Sequence, residues 1–161
     1  MNNLNFDSSS SFPSPIGAIS LFARDNKVVH LRIGGEVAST MGKAKVLAEA
    51  EKQLKAYFAG KSKRLDFSVQ LEGTEFQKSV WAEIAKFGFG QSLSYAQIAK
   101  AIGKPLASRA VGGAVGANPV PLIIGCHRVL GASGKITGYS GGDGLPTKRW
   151  LLELEGLKAK E

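Results

Sequence analysis

With 161 residues, 43% of them hydrophobic, the chain is long enough for one ordinary domain or two small ones around a real core. No apolar run approaches the roughly 20 residues of a membrane helix, and MNNLNFDSSSSFP lacks the basic-then-apolar order of a secretion signal, so no membrane partner and a cytoplasmic, nucleoid-associated address are expected. One cysteine excludes an internal disulfide, no zinc-ligand spacing implies a metal, and 21 Lys and Arg against 13 Asp and Glu give +8, an excess that favours polyanions such as nucleic acid.

In chain order, residues 1–12 are rich in Asn and Ser and read as a loose lead-in. SPIGAISLFARDNKVVHLRIG reads as two strands joined near Asp25-Asn26, with His30 an ordinary sheet residue. Val46, Leu47, Ala50, Leu54, Tyr57 and Phe58 then recur at three- and four-residue spacing, which predicts a helix with one apolar face ended by Gly60. GKSKRLDFSVQLEG, 60–73, reads as a crossing between two lobes, so the expected division is an N-terminal α/β lobe at 1–72 and a C-terminal lobe at 73–161.

The second lobe opens on Thr74-Glu75-Phe76-Gln77, a capping box, before a helix striped by Phe76, Val80 and Ile84. Ser94-Tyr95-Ala96-Gln97 repeats the box and starts SYAQIAKAIG, a short helix closed by Gly103. A further helix is predicted from Pro105 through ASRAVGGAVGAN, making the pair a helix-turn-helix. Within it Gly112 and Gly113 each cost about 0.5–1 kcal/mol relative to alanine. With Ala107, Ala110, Ala114 and Gly116 they leave a nearly bare surface whose one long cation is Arg109. Such a face suits either close packing on the core or a nucleic-acid groove. After Asn118-Pro119-Val120-Pro121, Leu122-Ile123-Ile124 reads as a short buried strand delivering Cys126; a turn-rich loop follows, and PTKRWLLELEG reads as a last helix with Pro146 near its start. The fold class expected is α+β, a small sheet lobe with a helix followed by a mainly helical lobe.

A lone cytosolic cysteine is usually an inert small hydrophobe. His127 and Arg128 set a base and a permanent cation beside Cys126, and a thiol of ordinary pKa needs such activation to act as a nucleophile. On an extended chain His127 would face away from the sulfur and reach it only through a turn or a water. A base also needs an orienting group, for which Glu153 and Glu155 are both available.

RAVGGAVGANPVPLIIGCHRVLGASGKITGYSGG, 109–142, with FQKSVWAEIAKFGFGQSLSYAQIAKAIG before it and WLLELEG after, closely resembles the methylated-DNA-protein-cysteine methyltransferases, or 6-O-alkylguanine-DNA alkyltransferases. The resemblance covers residues 74–156, and SPIGAISLFA is similar to the opening strand of that family's first lobe. It implies direct-reversal repair: irreversible, single-turnover transfer of an alkyl group from O6 of guanine to Cys126, without a cofactor, with O4 of thymine left open as a second target. It further implies that His127 acts on Cys126 through water, Glu155 holds the imidazole, Asn118 braces the turn and Tyr95 helps protonate the extruded guanine. Arg109 would fill the vacated stack, Ala110 and Gly112 would lie on the DNA-facing helix, and Val129, Tyr139 and Ser140 would bind the base. The partner implied is double-stranded DNA carrying alkylated guanine, entered through the minor groove by a monomer, with cooperative assembly on DNA left open.

The family pattern has proline before the cysteine, where this chain has Gly125. Glycine there loosens the segment by about 0.4–1 kcal/mol of unfolded-state entropy, which predicts retained but slower transfer. Two other functions fit some of the residues. One is a lesion-sensing DNA-binding protein that repairs nothing, against which the acceptor cysteine argues; the other is a Cys-His hydrolase, against which the abutting Cys and His argue.

Overall fold

The computed structural model describes residues 4–160; Met1–Asn3 of the expected lead-in, and Glu161, lie outside them. It is of mixed α+β class and divides into two compact units, residues 1–71 and 72–161.

The first unit is a three-stranded antiparallel sheet, β1 (Ser8–Phe12), β2 (Ile19–Arg24) and β3 (Lys27–Ile33), with helix α1 (Lys45–Phe58). Asp25 and Asn26 have φ of 53° and 59°, the left-handed pair a two-residue hairpin turn requires. Asn26 also serves the start of α1, where its Oδ1 accepts from Val46 N at 2.9 Å and satisfies a free amide that no local side chain caps. All six apolar residues predicted for the helical stripe are buried, alongside Ile19, Leu21, Ala23, Val28 and Leu31 of the sheet. His30 lies beside Phe22, ring centroids 5.7 Å apart, and burial holds its pKa below the usual value.

Two expectations are corrected in this unit. The lead-in is not loose from Ser8 onward, because Ser8–Phe12 pairs along its whole length with β2, and Ser11 and Ser20 hydroxyls meet at 3.1 Å. Backbone bonds build that strand, and serine gives no apolar period by which to see it. The segment 60–73 is also more than a crossing: Val28 N donates to Ser68 O and Gln70 N to Val28 O, both at 2.9 Å, so 68–70 docks parallel to β3.

The second unit contains α2 (Glu75–Ala85), β4 (Leu93–Ser94), α3 (Tyr95–Ala101), α4 (Ser108–Gly116), β5 (Val129–Leu130) and α5 (Leu145–Leu154), with β4 and β5 paired in parallel. Thr74 and Ser94 both close reciprocal capping boxes, with Gln77 and Gln97. α3 and α4 form the expected helix-turn-helix, but α4 begins at Ser108, not Pro105. Lys104 through Ala107 form a turn closed by Ala107 N to Lys104 O at 2.9 Å. Proline suits the second position of such a turn as well as the start of a helix. Trp81 anchors α2 to α4, its indole donating to Ala114 O at 2.8 Å in the core.

The expected strand at 122–124 is also absent. Leu122 has φ of 78° and is buried, Ile124 N bonds back to Val120 O, and the apolar run folds into a turn. Hydrophobicity predicted its burial; the flanking prolines and Asn118 decide its shape.

Candidate active site

Asn118 braces the turn that precedes the thiol. Its amide nitrogen donates to Ile124 O at 2.8 Å and its carbonyl oxygen accepts from Val120 N at 3.0 Å, spanning the segment that holds Leu122 in the left-handed region. A left-handed leucine costs on the order of 1–2 kcal/mol, which these bonds help offset. Cys126 then opens a 3-10 turn, Cys126–Arg128, so its neighbours do not alternate as on a strand.

The thiol is 7% exposed. Burial pushes its pKa up, while hydrogen bonds from the Asn118 and Tyr139 side chains and the charge of Lys148 pull the other way without prevailing. The resting sulfur is therefore protonated and needs a proton acceptor to become a nucleophile.

His127 is fully buried, its Nε2 2.6 Å from Glu155 Oε2. Burial, first among its influences, lowers its pKa and outweighs the opposing pull of Glu155. A neutral ring bonded to a carboxylate carries its hydrogen on Nε2, which leaves the lone pair on Nδ1. Nδ1 is buried and has no protein hydrogen-bond partner among the described residues. That is the arrangement of a base awaiting a proton.

Glu155, just past the end of α5, also accepts from Arg128 Nε at 2.8 Å, Arg128 Nη2 at 3.0 Å and Gly90 N at 3.1 Å. Glu153, the other carboxylate left open by the sequence, is exposed. Lys148, which sequence reasoning missed, is buried in the same region and donates to Val129 O at 2.6 Å and Gly138 O at 3.4 Å. Burial lowers its pKa to about 8, partly countered by Cys126. Within PTKRW a lysine beside an arginine reads as a solvated pair. The usable signal was spacing: Lys148, Leu151, Leu152 and Glu155 share one helical face.

Tyr95, first in α3, is half-buried; its hydroxyl meets Thr137 Oγ1 at 3.1 Å, and its ring lies 3.9 Å from where a Cβ on Gly112 would stand. Tyr139 is half-buried and Ser140 exposed on the loop before α5. Val129 is fully buried in β5, so it offers the site its carbonyl, which Lys148 occupies, and no exposed side chain. Arg109 and Ala110 are exposed on α4, and a Cβ on Gly113 or Gly116 would meet nothing within 4 Å. The bare stripe on this side of α4 therefore faces solvent; internal packing does not require those two glycines.

Gly125 has φ of −71°, a value proline also adopts, but a Cβ there would lie 2.5 Å from Arg128 Nη1. Arg128 occupies space that a side chain at 125 would take.

Residues 75–157 match the profile of the 6-O-methylguanine DNA methyltransferase DNA-binding domain, and residues 9–72 that of the ribonuclease-like domain of the same proteins. The chain is 46% identical over 151 residues to a methylated-DNA–protein-cysteine methyltransferase of Methanosarcina acetivorans, covering 90% of this chain and 96% of that one. It is similar in structure to Mycobacterium tuberculosis O6-methylguanine methyltransferase, with TM-score 0.81, 41% identity and 91% of each chain covered. For Mycobacterium tuberculosis OGT in complex with DNA the TM-score is 0.82, at 43% identity and again 91% of each chain. The two profiles between them span nearly the whole chain, the relatives match it along most of its length, and the chain belongs to the 6-O-methylguanine DNA methyltransferase family.

Proposed function

We propose that this chain repairs DNA by direct reversal, moving the alkyl group from O6 of guanine onto Cys126. The observation that carries the reading is the buried chain of groups at the one thiol: a protonated sulfur, a neutral His127 with Nδ1 unpartnered, and Glu155 fixing the opposite nitrogen at 2.6 Å. The thiol proton passes to Nδ1 through a bridging water as the sulfur attacks the alkyl carbon. The S–C bond forms and the C–O bond to guanine breaks. Tyr95 gives its phenolic proton to the departing base, and the proton held by His127 restores the phenol. A thioether has no carbonyl for water to attack, so each chain acts once. With excess duplex containing O6-methylguanine, methyl transfer should plateau at one group per chain; continued turnover, or tight binding without transfer, contradicts this.

The O6 atom lies inside the duplex, so the nucleotide has to leave the stack at a cost of a few kcal/mol. We assign DNA contact to the solvent-facing stripe of α4, in the minor groove, with Arg109 supporting the flipped state and Tyr139 and Ser140 lining the base. The chain acts as a monomer in this scheme, in the compartment that holds DNA. Among the described residues no helix is long and apolar enough to cross a membrane. Arg109→Ala should slow repair in duplex by about tenfold or more while changing reaction with free O6-benzylguanine by about twofold or less, since only the duplex substrate needs flipping. Equal losses on both would remove that role.

Binding to undamaged duplex should weaken steeply with salt. Each phosphate neutralised contributes about −0.9 to the slope of log K against log salt. A titration across salt concentrations measures it, and a flat response would mean that the +8 charge does not act through phosphate contacts.

A further inference from the structure

We propose that Arg128 is a positioning residue for alkyl transfer: seated over the side-chain-free Gly125, it caps the Glu155 carboxylate, so that Glu155 can fix the His127 tautomer without charging the ring. The inference rests on the reading of His127 as the acceptor of the thiol proton.

The geometry is particular. Arg128 Nε and Nη2 take one oxygen each of Glu155, at 2.8 and 3.0 Å, and Nη1 is turned to Phe87 O at 3.2 Å. All three guanidinium nitrogens are therefore committed, in a residue 7% exposed. The seat exists because residue 125 is glycine: a Cβ would stand 2.5 Å from Nη1, 3.0 Å from Cζ and 3.1 Å from Cδ. The fork matches a carboxylate in a way a lysine cannot.

The consequence falls on His127. A carboxylate 2.6 Å from a ring nitrogen favours the imidazolium, and an imidazolium cannot take a proton from the thiol. The charged groups acting on the ring are Glu155 and Lys148 from the α5 segment and Arg128 from its own turn, with Cys126 adjacent in sequence. Glu155 alone raises the ring's pKa; burial, Arg128 and Lys148 lower it. Arg128 thus offsets the carboxylate where it would otherwise protonate the base, and leaves its orienting hydrogen bond in place.

The test is the pH dependence of the single-turnover rate of methyl transfer from an O6-methylguanine duplex, for wild type, Arg128→Met, Arg128→Lys and Gly125→Ala. In Arg128→Met the acid limb should move to higher pH by about one unit, so that the loss at low pH exceeds the loss on the plateau by about tenfold. Arg128→Lys keeps a cation and should move the limb less than half as far. Gly125→Ala, which pushes the guanidinium from its seat, should move it in the same upward direction. Profiles parallel to wild type, or limbs moved to lower pH, overturn the proposal. If Arg128→Met does not fold, as judged by circular dichroism, the other two variants decide by the same criteria. Mass measurement of wild type separates the two levels: a wild-type chain without methyl on Cys126 overturns the repair reading and this inference with it, whereas methylated Cys126 with parallel profiles overturns this inference alone.

Discussion

Cys126→Ser should lower methyl acceptance by more than about a thousandfold and leave affinity for undamaged duplex within about twofold, because a hydroxyl is far harder to ionise than a thiol. The replacement is close in size, so the turn and its Asn118 brace survive it. The contacts assigned to DNA phosphates and groove lie on α4, whose Arg109 and Ala110 are exposed, away from the buried sulfur. Single-turnover kinetics and equilibrium binding on the same preparation separate the two effects. A serine variant that fails to bind DNA would show that Cys126 supports structure as well as chemistry.

Glu155→Ala should lower both stability and rate. The carboxylate accepts from His127, from Arg128 twice and from Gly90, and the Arg128 side chain is only 8% exposed. Removing one partner of a buried ion pair strands the other charge, a loss of about 3–5 kcal/mol. Glu155→Gln, which keeps the shape and one acceptor oxygen, should cost less. Urea unfolding with unchanged m-value measures the stability loss. The rate at a temperature where the variant is folded should fall by about 100-fold, since His127 loses the bond that fixes its tautomer. A fall in stability with normal rate would make Glu155 a purely structural anchor.

Features set by neighbours in the chain were legible from sequence. The Thr74 and Ser94 capping boxes, the Asp25-Asn26 turn and the six-residue apolar stripe of α1 each depend on residues a few positions apart, and each is found where expected. Features set by distant partners were not. β1 is four serines and a phenylalanine held by backbone pairing, and Pro105 satisfies a turn as readily as a helix start. At the site, Cys126, His127, Asn118 and Glu155 were named from the resemblance, and the structure brings them together around one turn. The choice of Glu155 over Glu153 by residues alone was impossible, since it depends on where α5 ends against that turn. Arg128 and Lys148 escaped because a buried cation looks like a surface one until its partners are known: a carboxylate 27 residues away for Arg128 and a carbonyl 19 residues away for Lys148. Gly125 looked like a loosened hinge. In the fold it makes room for Arg128.

The most direct measurement is peptide mass mapping after incubation with O6-methylguanine duplex. One methyl group on the peptide containing Cys126, on no other peptide and persisting after the DNA is removed, is the result expected of a sulfur that takes the alkyl carbon and keeps it. An unmodified Cys126 peptide, with the lesion either intact or repaired, would contradict it.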